Sequence, residues 1–147
     1  MSANRSETLL RRALFANASF STASAATCLL ATGAVAAFTG VPAADVSSLG
    51  AELGIFALGI FALLSQDLTR TWARRVVAGI IALDALWVVG SVVLLVMPNP
   101  LTSAGQWTVG LVALVVADFA AFQWMGWRGM ARNEAADVAL EATPDLA

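Results

Sequence analysis

From Ala13 to Ala44 the chain runs thirty-two residues without one charged side chain. A helix needs about 20 mainly apolar residues to cross the hydrocarbon core of a bilayer, and this stretch exceeds that. Three further apolar segments follow, so hydropathy predicts spans over about 13–38, 48–66, 76–97 and 106–127. Turn-forming residues separate them. Thr39-Gly40-Val41-Pro42 ends the first, Asp67 to Arg75 links the second and third, and Pro98-Asn99-Pro100 ends the third. The expected fold is therefore all-α: an integral membrane four-helix bundle, up-down-up-down. Residues 1–12 form an N-terminal segment, 13–127 the bundle, and 128–147 an acidic tail expected to be disordered.

Composition supports the same class. Only 12% of residues are charged, where a soluble domain carries about a quarter. Net charge is −2, and no basic face is available for nucleic acid. His, Lys and Tyr are missing altogether. That removes imidazole ligation of haem or metal, Schiff-base chemistry, and any Ser-His-Asp or Cys-His pair. Cys28 is the single cysteine, so neither an internal disulfide nor a two-thiol relay can form. No catalytic residue, metal ligand or cofactor site is expected. Carboxylates, hydroxyls, amides and one thiol remain for chemistry.

Orientation follows from the arginines. Arg5, Arg11 and Arg12 precede the first span, Arg70, Arg74 and Arg75 lie between the second and third, and Arg128 and Arg132 follow the fourth. All eight fall on one side, which the positive-inside rule makes cytoplasmic. Trp72, Trp107, Trp124 and Trp127 fall at span ends, as interfacial aromatics do. The expected location is a bacterial inner (cytoplasmic) membrane with both termini inside. A cleaved signal peptide is the rival for residues 11–36. Its apolar part is about 7–15 residues, shorter than this one, so the segment is read as a retained helix.

Ionisable groups within a span cost ~2.5–3.5 kcal/mol even on the lenient insertion scale, so Glu52, Asp84 and Asp118 each need an account. Rise along each span puts Glu52 roughly 7 Å to the outer side of the midplane. It puts Asp84 about 4 Å and Asp118 about 2 Å to the inner side. The two aspartates are nearly level, on helices joined by a short loop, and are expected to be adjacent; if they face each other they can share a proton, and a structural hydrogen-bonding role stands beside that one. On the first span Asn17, Ser21, Ser24 and Cys28 recur at i, i+4, i+7 and i+11, forming one stripe. Ser24 is placed near the level of the aspartates and Asn17 near that of Gln123. Asp84, Trp87 and Ser91 share a face that is expected to point inward, with the Trp87 indole near the carboxylate. Asp84, Asp118, Ser24, Trp87, Glu52, Asn17, Ser21 and Gln123 are thus the candidate polar site. Gly50 and Gly54 form a small-xxx-small pair that packs either within the chain or between copies.

Two stretches, Leu9-Leu10-Arg11-Arg12 leading into Asn17-Ala18-Ser19-Phe20-Ser21, and Ala82-Leu83-Asp84-Ala85-Leu86-Trp87, carry a resemblance. So do Thr102-Ser103-Ala104-Gly105 and Ala121-Phe122-Gln123. Together they make the chain resemble small bacterial four-helix integral membrane proteins of uncharacterised function. The resemblance implies the bundle and no particular activity, and neither Asp118 nor Glu52 belongs to it. The architecture also looks like that of small multidrug exporters. Their hallmark glutamate in the first helix is absent here, which excludes them.

Three readings follow. The first is a non-enzymatic membrane component or binder of a lipophilic small molecule. The second is a proton-coupled transporter using Asp84 and Asp118, and the third a membrane-embedded carboxylate enzyme. An enclosed polar cavity joining Asp84, Asp118 and Ser24 would favour the second or third, and polar groups paired with one another the first. The expected partners are the lipid bilayer and a homo-oligomer or larger membrane complex, with no nucleic acid.

Overall fold

The computed structural model describes residues 2–141, and every regular element in them is helical. The helices are α1 (Ser2–Leu30), α2 (Thr32–Thr39), α3 (Ala43–Leu64), α4 (Thr71–Val96) and α5 (Ser103–Glu141). Four of them, all but α2, are long and apolar enough to cross a membrane.

The helices begin earlier than the expected spans, α1 at Ser2, within the expected N-terminal segment, α3 at Ala43 and α4 at Thr71, and two further differences bear on the site. The first expected span breaks at Ala31, whose backbone (φ −124°, ψ 31°) leaves the helical region. Hydroxyls flank the break and bond back to carbonyls one turn earlier, Thr27 to Ala23 (2.9 Å) and Thr32 to Cys28 (2.6 Å). Such back-bonding weakens and bends a helix. The second difference lies at the other end of the chain, where α5 runs fourteen residues past Trp127, to Glu141. Ala131, Arg132, Ala135, Ala136 and Ala139 are strong helix formers, and no proline interrupts before Pro144. The rest of the expected tail, 142–147, lies outside the described residues.

α1 packs along α3 on one side and α5 on the other, while α4 packs mainly on α5. The core gathers Leu10, Leu14 and Ala18 of α1, Ile60 and Leu63 of α3, Leu68, and Ala73, Val77 and Ile80 of α4. Gly126 lets α5 approach closely, because a Cβ there would stand 2.9 Å from the Leu10 Cβ. Gly50 lies against Cys28 and Leu29, so the glycine pair of α3 is used within the chain. Outside this core the polarity is inverted relative to a soluble protein. Ile55, Leu86, Leu114 and Val96 are between 62% and 76% exposed, and α4 is at once the most apolar span and the least buried. Exposed apolar surface on that scale belongs in lipid.

Side chains tie the ends together. The Arg11 guanidinium donates to the carbonyls of Leu64 (2.9 Å) and Gln66 (3.1 Å), capping the C-terminus of α3, and pairs with Glu7 at 2.8 Å. Close by in sequence, Asp67 accepts from the Thr69 amide and hydroxyl, which hold its carboxyl below the usual carboxylate range. The Trp127 indole N–H donates to the Arg74 carbonyl at 3.2 Å. At the opposite end the Thr102 amide and hydroxyl donate to the Thr39 (2.9 Å) and Phe38 (2.5 Å) carbonyls. Gly40 sits in this joint at φ 83°, a left-handed conformation, and a Cβ there would lie 2.7 Å from the Pro100 carbonyl oxygen. Both constraints select glycine.

Candidate functional site

Three helices converge on one carboxylate. Asn17 stands at the middle of the α1 span Arg5–Leu30, and Asp84 at the middle of α4. The buried residues of α4 recur as Ala73, Val77, Ile80, Asp84 and Ser91, a narrow arc at helical spacing that carries Asp84 inward. The Asn17 amide Nδ2 donates to Asp84 Oδ2 at 2.8 Å, and Gln123 Nε2 of α5 donates to the same oxygen at 3.1 Å. Ser21, one turn along α1, donates its hydroxyl to Asn17 Oδ1 at 3.3 Å. That bond orients the Asn17 amide, leaving its N–H groups toward Asp84. The four side chains are buried, with Gln123 fully enclosed. Gln123 Oε1 is also buried and has no hydrogen-bond partner among the described residues.

The arrangement therefore joins Asp84, Asn17, Ser21 and Gln123, four of the eight expected site residues, and leaves the others apart. Asp118 does not face Asp84. Five residues at 3.6 per turn rotate it about 140° away from Gln123, onto the outer face of the α1–α5 pair. There it is exposed and lines a groove of about 430 Å³ with Arg12, Ala13 and Ala16 of α1 and Phe119 and Phe122 of α5. Trp87 is 39% exposed rather than turned inward. α4 packs closely on one neighbour only, so its buried arc is too narrow to include a residue three positions from Asp84. Ser24 is half-buried on α1, two turns beyond Asn17, and Glu52 is exposed on α3. Sequence reasoning missed the part played by Arg11, which it used only for orientation. Its one available signal was its place at the end of the apolar run that faces Ser65 and Gln66.

Chemically, the centre is one acceptor carboxylate held by two primary amides. That set links three helices by hydrogen bonds to one oxygen. Among the described residues, no three His, Cys, Asp or Glu side chains cluster as metal ligands would. Comparison with protein-family models, with curated proteins and with solved structures gives no match. What is established is the class: a helical chain with four candidate membrane spans, compatible with a multi-pass membrane protein.

Proposed function

We propose that this protein is a small non-enzymatic component of a bacterial inner (cytoplasmic) membrane, an accessory subunit or a binder of a lipophilic small molecule. Its four spans run up-down-up-down with both termini cytoplasmic. The arginine distribution supports that orientation, and the contacts at the two ends of the bundle support the alternation. One observation carries the functional reading: Asp84 Oδ2 is taken by Asn17 and Gln123 inside the bundle, instead of meeting a second acid across a cavity. Intramembrane carboxylates either work or hold helices together, and this one is arranged to hold.

The reading is tested by reconstituting the wild type and Asp84→Asn in liposomes containing a pH-sensitive dye. An asparagine oxygen accepts from both amides, so the variant is expected to match the wild type in fold and abundance. Neither protein is expected to move protons down an imposed gradient. Proton flux in the wild type that Asp84→Asn abolishes would instead establish proton-coupled transport.

A further inference from the structure

Asp118 is exposed at the centre of α5's apolar segment, Ser103–Asn133, and with the helices in a bilayer that puts a carboxylate in hydrocarbon. Among the described residues no hydrogen bond or ion pair reaches it, which leaves its acceptor oxygens open to a second chain. Depth restricts the choice. A lipid headgroup stays at the membrane surface, and only another spanning segment brings a polar group to the midplane.

Symmetry restricts it further. Two copies inserted the same way are related by a two-fold axis along the membrane normal, which leaves every residue at its own depth. A self-complementary face must therefore carry donor and acceptor at equal depth. Gly126 against Leu10 and Gly129 against Ser6 set the register of α5 on α1, and in that register Asp118 is level with Ala18. Ser19 is one residue away, about 2 Å in depth. Its side chain is exposed, and its hydroxyl makes no hydrogen bond within the described residues. Ser19 lies two turns beyond Arg12 and one beyond Ala16, so helical spacing puts it on the α1 face that carries those two groove residues. Ala16, exposed on the α1 wall, leaves room for a second helix, as close-packed membrane interfaces require. Arg12, toward the arginine-rich end of the same groove, complements the acid in charge.

We propose that the α1–α5 face is a dimer interface between two copies of this chain. In it Ser19 of each copy donates to Asp118 of the other, and small residues of α1 seat in the opposing groove. This rests on the reading that the helices cross a bilayer, which membrane fractionation tests separately.

The experiment is disulfide trapping in native membranes in a Cys28→Ser background. Ala16→Cys and Ser19→Cys are expected to give cross-linked dimers, whereas Ile55→Cys on α3 and Leu86→Cys on α4 are not. In nanodiscs, single-molecule photobleaching is expected to show an association constant lowered about tenfold by Asp118→Leu, since two symmetric bonds are lost. Ser19→Ala, which leaves insertion undisturbed, is expected to weaken association in the same direction. Asp118→Asn, still an acceptor, retains most of it. A protein that is in the membrane fraction but monomeric at every protein-to-lipid ratio would overturn the proposal. So would cross-linking that is equal at all four positions, or a dimer indifferent to both Asp118→Leu and Ser19→Ala.

Discussion

Asn17 and Asp84, 67 positions apart in the chain, meet at 2.8 Å in the middle of the bundle. The bond spans α1 and α4, and Gln123 of α5 brings a third helix to the same oxygen. Interhelical hydrogen bonds in membranes average about 0.6 kcal/mol and reach about 1.7, so two to one carboxylate form a substantial tie.

Replacing Asp84 by leucine removes the acceptor and leaves two buried amides unpaired. We expect a loss of about 1–2 kcal/mol. Asp84→Asn should stay within about 0.5 kcal/mol of the wild type, because its carbonyl oxygen accepts and its NH2 can donate toward Gln123 Oε1. Unfolding by steric trapping in bicelles measures both.

Arg11→Met keeps the apolar stem but removes the guanidinium from the Leu64 and Gln66 carbonyls. The end of α3 loses its cap, at a cost of about 1 kcal/mol. Hydrogen exchange should report it as faster opening confined to the α3–α4 turn. Uniform protection there in the variant would count against the cap.

Gly126→Leu places a branched side chain where Leu10 already sits 2.9 Å from an added Cβ. α1 and α5 must separate, and we expect a loss of about 2–3 kcal/mol in the same unfolding assay. Gly59→Leu, whose added Cβ meets nothing within 4 Å, should be neutral.

Asp67 lies in the α3–α4 turn, and the Thr69 hydroxyl and amide lower its pKa in the fold. A lowered folded value means stabilisation that is present above the unfolded value of about 3.9 and lost as pH falls through the folded one. The stability difference between wild type and Asp67→Ala should therefore be constant near neutrality and shrink on acidification below about pH 4. A difference that grows on acidification would contradict the assignment.

Much of this was legible in the sequence, and the misses have identifiable causes. Hydropathy located four apolar helices because lipid exposure demands apolar residues on every face. It could not see the break at Ala31, since Ala31 to Phe38 is as apolar as the span before it. Counting those residues as membrane moved the expected centre of the first helix from beside Asn17 to between Ala25 and Ala26, about 12 Å along the axis. Ser24 was consequently matched to Asp84 in place of Asn17. Asp118 lies at the middle of the apolar segment Ser103–Asn133, but position along a helix says nothing about rotation. In a helix that is apolar all round, no periodic pattern marks which side faces the protein. That is why Asp118 was turned toward Asp84 when it faces the α1–α5 groove. Trp87 misled for a related reason: a tryptophan at mid-depth suggests an interior partner, yet its ring lies on the exposed side of α4.

The central claim, that Asp84 is an interhelical tie held by Asn17, is tested most directly by a double-mutant cycle in bicelles. Wild type, Asn17→Ala, Asp84→Leu and the double variant are unfolded under identical conditions. We predict a coupling of about 1 kcal/mol, with the second substitution costing little once the first is made. Strictly additive losses would contradict it.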